Sequence, residues 1–252
     1  MADEKKLFLL DAFALIYRAY YSFISNPRIS SKGFNTSAMF GFTNTLFDLI
    51  KKEKPTHIAV VFDPPSGDQK NFRVEQYAEY KANREAMPED IARSIPYIKA
   101  IVEGFNIPAL EVEGFEADDV IGTLAKKAAR KGYTVYMMTP DKDYGQLVEE
   151  NIFMYKPARG GGDVEIMGVK EICEKYGIVR PDQVIDILGM MGDAVDNIPG
   201  IPGVGEKTAI KFVQQFDSVE GLYENLDQLK GKMKEKVEAN KELAYMSKEL
   251  AT

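Results

Sequence analysis

The sequence of 252 residues predicts an α/β protein with a mostly parallel central sheet flanked by helices. Short apolar runs such as Leu7–Leu10 and Ile58–Phe62 alternate with stretches of helical periodicity. This is the pattern of a parallel sheet that helices cover on both faces. Acidic residues, Asp11 and Asp63, directly follow these two runs. Because parallel sheets bind ligands at the carboxyl ends of their strands, we expect the functional site at that edge.

The apolar periodicity places five strands and the helices between them. The predicted strands span residues 7–10, 57–62, 107–112, 134–138 and 152–155. One helix is predicted from 12 to 21, a second begins at Thr36 or Ser37 and stops at Pro55, and a third follows residues 114–119 and stops at Gly132. The glycines at 160–162 predict a turn.

Residues 64–103 depart from this alternation and predict a helical insertion over the sheet. Cationic and aromatic side chains recur there at helical intervals, at Arg73, Tyr77, Tyr80, Lys81 and Arg84. Taken alone, such a stripe is also what a solvated amphipathic helix shows. A second helix of the insertion is predicted after Pro88.

From residue 169 onward the signals are helical, with helices predicted near 172–176, 184–191, 209–216, 219–226 and 230–250. The stretch Gly189–Thr208 joins two kinds of chemistry. Asp193 and Asp196 have i, i+3 spacing, which on a helical turn would let them share a cation. The Pro/Gly turn after them offers backbone N–H groups and a helix N-terminus to a phosphate.

This turn does not match a nucleotide P-loop. Gly200 and Gly205 have the required spacing, but Glu206 intervenes before Lys207 and Thr208, and no strand pattern precedes the turn. A Pro/Gly run before a helix is also often only a tight connection, so the turn alone does not establish a phosphate site.

Composition narrows the class of protein. No apolar run is long enough to span a bilayer, and the first residues do not resemble a secretory signal. Cys173 is the only cysteine, which excludes an intrachain disulfide and a cysteine zinc site. We therefore expect a cytoplasmic protein without a membrane partner. His57, the only histidine, begins a predicted strand away from Asp63, so we expect a structural or solvated role for it.

The net charge of −7 is concentrated in a few acidic motifs. Without their nine carboxylates, 30 acidic residues stand against 32 basic ones, so the charge does not exclude a nucleic-acid partner. One Asp after a strand usually caps a helix, but nine at one edge repel one another unless cations are present. Oxygen ligands without His or Cys favour Mg²⁺ or Mn²⁺, and two such ions about 4 Å apart can promote phosphodiester hydrolysis. The nine are Asp11, Asp63, Glu116, Asp118, Asp119, Asp141, Asp143, Asp193 and Asp196.

Six motifs together resemble the 5′-nuclease (5′-3′ exonuclease) domains of bacterial DNA polymerases I, within the flap endonuclease family. They are LLDAFALIYRAYY, VVFD, NFR…YAEYKANREAMPED, GFEADDVIGTLA, TPDKDYGQLV and GDAVDNIPGIPGVGEKTA. The resemblance covers nearly the whole chain. Its departures are mild: Ala12-Phe13 stands where small polar residues are frequent, and Pro140 precedes Asp141.

The resemblance implies roles for individual residues. It makes the nine carboxylates the ligands of two or more Mg²⁺ or Mn²⁺ ions. It places Lys81 and Arg84 in a helical arch, at about residues 66–103, as the catalytic groups that meet the scissile phosphate. Further DNA contacts are implied for Arg18, Arg73 and Tyr80, and for a helix-hairpin-helix that uses Gly203, Gly205, Lys207 and Thr208, in this family often with K⁺.

The resemblance also implies a domain organisation and a function. We expect a nuclease α/β domain at residues 1–180 and a helical DNA-binding section at 181–252. The expected activity is structure-specific 5′-3′ exonuclease and 5′-flap cleavage of DNA, with removal of RNA primers, on flaps and on nicked or gapped duplex. We expect a monomer, and the resemblance allows fusion to a polymerase module.

Three other functions remain open at this stage. A phosphatase with a carboxylate nucleophile would usually need Asp-x-Asp, but Phe13 occupies the second position. A small carboxylate ribonuclease would need neither the insertion nor the glycine turn. A non-catalytic, structure-specific DNA-binding module would leave the acidic cluster unexplained.

Overall fold

The computed structural model describes residues 5–64, 71–157 and 163–252. The predicted glycine turn at 160–162 and the start of the predicted arch at 66–70 lie outside these ranges. In the part of the chain that is described, no helix is both long and apolar enough to cross a membrane.

A six-stranded sheet with strand order β3-β2-β1-β4-β5-β6 forms the centre of the fold. The strands are β1 (Lys6–Asp11), β2 (His57–Val61), β3 (Ala109–Leu110), β4 (Thr134–Met138), β5 (Ile152–Lys156) and β6 (Glu165–Met167). The pairings among β1 to β5 are all parallel, which confirms the predicted sheet. β3 is shorter than predicted, and β6 was not predicted.

Eleven helices occur in the described residues. They are α1 (Ala12–Ser22), α2 (Ser37–Glu53), α3 (Phe72–Gln76), α4 (Glu89–Gly104), α5 (Ala117–Ala129), α6 (Val169–Tyr176), α7 (Gln183–Met191), α8 (Glu206–Phe216), α9 (Val219–Glu224), α10 (Gly231–Ala239) and α11 (Lys241–Leu250). Two 3₁₀ helices span Lys142–Leu147 and Leu226–Gln228. The single helical pattern predicted for 230–250 is two helices, because the chain departs from helical geometry at Asn240.

The described chain forms two compact units. The first unit contains residues 5–64, 86–144, 150–157 and 163–166, and the second contains 71–85, 145–149 and 167–252. This division differs from the boundary predicted at residue 180. It also assigns part of the predicted insertion to the same unit as the C-terminal helices.

The first unit has a dry core between its strands and helices. Phe8 and Val60 from the sheet and Ile16, Phe42 and Ile98 from the helices are essentially inaccessible to water. α1 and α2 approach closely at Gly41, where an added Cβ would stand 2.8 Å from the Cβ of Ala19. Burial of these faces fixes the strand order, and therefore which strand ends are neighbours.

The second unit is held together by a close contact between α7 and α11. A Cβ added to Gly189 would stand 2.7 Å from the Cβ of Lys248 and 2.8 Å from its Cα. The Lys248 ammonium lies 2.6 Å from carboxylate oxygens of both Asp186 and Glu220. Asp186 is buried and also accepts a hydrogen bond from the backbone of Val219, so one ionic cluster joins α7, α9 and α11.

Gly189→Ala should destabilise the protein, because the new methyl group would push α11 from α7. Overpacking of this kind costs about 1–3 kcal/mol, measurable by urea unfolding. Gly104→Ala is the matched control, since an added Cβ there meets no atom within 4 Å. Equal effects of the two substitutions would contradict the proposed close contact.

Candidate active site

Seven of the nine predicted carboxylates lie in the first unit, where three strand ends are neighbours. β1 lies between β2 and β4, so its last residue, Asp11, stands beside the residues that follow those two strands. Asp63 follows β2 and Asp141 follows β4. The backbone N–H of Ala117 donates to Asp63 Oδ1 over 2.8 Å, which ties the first turn of α5 to the same edge.

Asp11 is the most buried carboxylate of this group, with 8% of its surface exposed. Its Oδ1 accepts the N–H of Ala14 and caps α1, and its Oδ2 accepts the hydroxyls of Thr139 and Tyr144, each bond being 3.1 Å long. Burial, together with the negative charges of Asp63 and Asp141, raises the pKa of Asp11 to about 6, although the hydrogen bonds from Ala14 and Thr139 lower it.

The carboxylates at the start of α5 also serve as local acceptors. Asp119 Oδ2 accepts the backbone N–H of Glu116 at 2.9 Å, and Asp118 Oδ1 accepts the N–H of Asp119 at 2.8 Å. Asp63, Asp118 and Asp119 thus satisfy N–H groups around the N-terminus of this helix, as the capping interpretation of a single Asp requires.

The chain after β4 carries the remaining two carboxylates of the first unit. Asp141 Oδ1 accepts the N–H of Asp143 at 3.0 Å, and the N–H of Asp141 donates to the hydroxyl of Thr139 at 3.1 Å. Asp143 lies in the 3₁₀ helix that also contains Tyr144. Burial raises the pKa of Tyr144 well above its usual value, with further contributions from Asp11, Asp118 and Asp141, so this phenol keeps its proton.

Thr139 and Tyr144 were not predicted as site residues. Both are buried beside Asp11, at 0% and 3% exposure. Thr139 directly follows the predicted fourth strand and Tyr144 directly follows Asp143, so adjacency to the acidic motif was the only signal available.

The donor set suits a hard divalent cation in chemistry and charge. Carboxylate oxygens are the ligands that Mg²⁺ and Mn²⁺ prefer, and the raised pKa of Asp11 reflects a place where negative charge is costly. As the side chains stand, no group of three or more His, Cys, Asp or Glu among the described residues could hold a metal ion. Several of these carboxylates hydrogen-bond to neighbouring N–H groups, so ligation would require them to turn toward a common point.

Asp193 and Asp196 lie in the second unit, and their predicted helical turn is wrong. α7 ends at Met191, and an antiparallel bridge between Asp193 and Ile198 closes a turn over the intervening residues. Asp193 Oδ1 accepts the N–H of Val195 at 2.7 Å. Gly192, with φ of +72°, and Gly200, with φ of +61°, permit this close turn, since a Cβ on Gly200 would stand 2.3 Å from the N of Gly192.

Lys81 and Arg84 both form ion pairs with Asp196. The Lys81 ammonium lies 3.7 Å from Asp196 Oδ2, and an Arg84 guanidinium nitrogen contacts Oδ1. The backbone N–H of Lys81 also donates to the carbonyl oxygen of Asp196 at 2.9 Å. The two side chains predicted as catalytic cations therefore contact the same carboxylate, which is itself a predicted metal ligand.

The continuous helical stripe predicted over residues 73–84 is wrong. α3 spans five residues, and the chain then forms turns in which Lys81 has φ of +57°. Asn83 and Asn197 secure these turns through hydrogen bonds to the carbonyl oxygens of Ala194 and Glu79. Contacts with the turn at 193–198 outweigh the local helical periodicity.

Arg73 and Tyr80, for which the resemblance implies DNA contacts, are buried in this structure. Arg73 is 3% exposed, and its guanidinium donates to the carbonyl oxygens of Leu250 and Thr252 at 3.0 and 3.3 Å. Tyr80 is 6% exposed and packs with Ile198 and Leu250. In this structure both residues stabilise the end of α11.

The predicted phosphate-binding turn precedes α8 as expected. Gly203 has φ of +83°, and Gly205 is the N-cap of α8. The carbonyl oxygen of Gly205 accepts the N–H of Thr208 at 2.9 Å. Lys207 is exposed, and Thr208 is half-buried. A Cβ on Gly203 would stand 2.6 Å from the ammonium of Lys236, so this exposed cation also lies at the turn.

The two remaining predicted residues lie in the first unit. Arg18 donates from its guanidinium to the carbonyl oxygen of Pro157 at 3.1 Å. The exposed His57 packs its ring edge-on against Tyr133, with centroids 5.0 Å apart, in keeping with a structural role.

Comparisons with known proteins agree on one family. The family model described as 5′-3′ exonuclease, N-terminal resolvase-like domain, matches residues 6–177, and the one described as 5′-3′ exonuclease, C-terminal SAM fold, matches 179–252. A 5′-3′ exonuclease of Aquifex aeolicus is 40% identical over 98% of this chain and 82% of its own length. DNA polymerase I of Bacillus subtilis is 44% identical over the whole chain, which spans only 28% of that relative.

Solved structures support the fold. Zinc-bound T5 5′-exonuclease superposes with a TM-score of 0.76 at 22% identity, covering 98% of this chain and 89% of its own. Flap endonuclease-1 of Methanococcus jannaschii superposes with a TM-score of 0.61 at 18% identity, covering 94% and 78%. The resemblance inferred from the motifs is confirmed, and it favours a nuclease over a non-catalytic binding module. The chain belongs to the 5′-3′ exonuclease family.

Proposed function

We propose that this chain is a divalent-metal-dependent 5′-nuclease that hydrolyses phosphodiester bonds in DNA at 5′ flaps and 5′ ends, and removes RNA primers. The observation that carries the proposal is that Asp11, Asp63 and Asp141 stand at or just after the ends of three neighbouring parallel strands, at one edge of the sheet, in a chain of this family. T5 flap endonuclease, which has the same fold, has been solved with DNA and metal ions.

The proposed ions are Mg²⁺ or Mn²⁺, because the proposed ligands offer oxygen donors only. In the first unit the proposed ligands are Asp11, Asp63, Glu116, Asp118, Asp119, Asp141 and Asp143. In the second unit, Asp193 and Asp196 are proposed as metal ligands. Such ions supply a nucleophilic water and stabilise the charge that develops on the phosphate and the leaving oxygen. The chain contributes the positions and ionisation states of the carboxylates.

Lys81 and Arg84 are proposed to bind the phosphate that is cut. Their shared contact with Asp196 supports this role, because it demonstrates that both cations can reach a single anionic group. A phosphate oxygen would replace the Asp196 carboxylate as the acceptor. Fixed cations of this kind stabilise charge in the transition state more than in the ground state.

Phosphates distant from the cut are proposed to bind the turn at Gly203 and Gly205, with Lys207, Thr208 and Arg18 as further contacts. The exposed N-terminus of α8 and the ammonium of Lys236 support a preference for anions there. We also propose that the turn is half of a helix-hairpin-helix that binds K⁺. Fusion to a polymerase module is a further proposal, since the chain spans 28% of the Bacillus subtilis polymerase.

Asp118→Ala or Asp141→Ala should abolish cleavage of a labelled 5′-flap duplex while flap binding persists, since each removes a proposed metal ligand but no phosphate contact. Single-turnover cleavage in Mg²⁺ and binding in chelator are the two measurements. Asp48→Ala is the control, because that exposed carboxylate on α2 pairs only weakly with Lys52. Undiminished cleavage by folded variants would refute the assignment.

Lys81→Ala and Arg84→Ala should each lower the single-turnover rate about 100- to 1,000-fold and change flap affinity little. The estimate follows from the cost of removing one donor to a developing negative charge. Lys52→Ala is the control, because its side chain is 70% exposed. If both variants bind more weakly but cleave normally at saturating DNA, the two cations are general phosphate contacts.

The stability of Asp11→Asn relative to the native protein should depend on pH in chelator. The folded pKa of Asp11, about 6, exceeds its ordinary value of 3.8, so the native chain loses stability progressively as pH rises from about 4 to 6 and carries the full penalty above pH 6. The relative free energy of unfolding of the variant should therefore rise by at most about 3 kcal/mol between pH 4 and 7. Urea titrations across this range measure it, with Asp48→Asn as control. A difference independent of pH would contradict the proposed burial effect.

A further inference from the structure

We infer that Tyr144 and Thr139 are positioning residues for Asp11, whose carboxylate their hydroxyls hold in the orientation that binds a divalent cation. The inference rests on the proposed function and extends it to two residues that act through Asp11. It concerns geometry at the buried edge of the first unit.

The hydrogen bonds define the orientation of the Asp11 carboxylate. Both hydroxyls donate to Oδ2, while Oδ1 accepts the backbone N–H of Ala14. Rotation of the carboxylate would therefore break bonds at both oxygens together. Each carboxylate oxygen has about two lone-pair positions, so Oδ1, which accepts a single bond, retains a position for a cation.

Thr139 links two of the proposed ligands through one oxygen atom. Its hydroxyl donates to Asp11 and accepts the backbone N–H of Asp141. The orientation of one carboxylate and the path of the chain at the next are thereby coupled. The methyl group of Thr139 takes no part in this link, because both hydrogen bonds use the hydroxyl oxygen.

The surroundings explain why donors are needed at this place. The negative charges of Asp63 and Asp141 raise the pKa of Asp11, and the negative charge of Asp118 raises the pKa of Tyr144. The principal influences on the pKa of Asp11 include no cationic side chain. Without hydroxyl donors, a buried carboxylate would turn away from its neighbours. Partners of this kind around a metal ligand typically affect metal affinity 10- to 100-fold.

A purely structural role for Tyr144 is the competing interpretation, and the chain contains a matched control. Tyr155 is also 3% exposed and lies in the same unit, and its hydroxyl donates to Glu53 Oε1 at 3.1 Å. Tyr155→Phe therefore removes a bond of the same type and length to a carboxylate outside the proposed site. Both substitutions should have similar effects on thermal stability in chelator.

The experiment measures Mg²⁺ binding to the DNA-free chain by titration calorimetry, together with cleavage of a 5′-flap duplex as a function of Mg²⁺ concentration. Tyr144→Phe should raise the Mg²⁺ dissociation constant about 10- to 100-fold. Its cleavage rate should recover at saturating Mg²⁺, and its flap affinity in chelator should equal that of the native chain. Tyr155→Phe should leave Mg²⁺ binding unchanged.

A second pair of variants tests the same inference should Tyr144→Phe fail to fold. Thr139→Ser keeps the hydroxyl and should bind Mg²⁺ as the native chain does, whereas Thr139→Val should bind it less tightly. Equal Mg²⁺ affinities for Tyr144→Phe and Tyr155→Phe, or for the two Thr139 variants, would overturn the inference and leave the proposed function intact. Absence of Mg²⁺ binding and cleavage in the native chain would overturn the proposed function itself.

Discussion

Repulsion between carboxylates at the carboxyl edge of the parallel sheet is the constraint on which the candidate site depends. Burial of the apolar faces of β1, β2 and β4 fixes their order and so brings Asp11, Asp63 and Asp141 to neighbouring positions. Burial, with a smaller contribution from this repulsion, raises the pKa of Asp11 to about 6. Helix caps and two buried hydroxyls offset part of the cost of these charges, and a bound cation would offset the remainder.

In the second unit, buried or partly buried carboxylates form direct ion pairs with cationic side chains. Asp196 contacts Lys81 and Arg84, and Asp186 contacts Lys248. The Asp186 carboxylate is 7% exposed and its ion pair joins helices, whereas the Asp196 carboxylate is 21% exposed and its partner Arg84 is 48% exposed. This difference suits a structural role for the first cluster and a role in binding an anion for the second.

The sequence was sufficient for features that depend on one segment at a time. Apolar runs predicted β1, β2, β4 and β5, and the Asp residues predicted at the ends of β1, β2 and β4 lie at or just after the ends of neighbouring strands of the sheet. The sequence did not predict features that depend on contacts between distant residues. Arg73 is charged, yet it is buried and donates a hydrogen bond to a carbonyl oxygen at the end of α11. Residues 77–84 have helical periodicity, but their conformation is set by hydrogen bonds to the turn at 193–198. Tyr144 was missed because only its hydrogen bond to Asp11 distinguishes it from an ordinary core tyrosine.

Anomalous scattering from crystals grown with Mn²⁺ tests the central claim most directly, because it locates the ion without reference to activity. The account predicts a peak bound by Asp11 together with carboxylates from the ends of β2 and β4 or the start of α5. Asp11 should keep its orientation, whereas the carboxylates that join it should have turned from the N–H groups they accept in this structure. Mn²⁺ bound elsewhere, with the Asp11 edge unchanged at saturating concentration, would contradict the account.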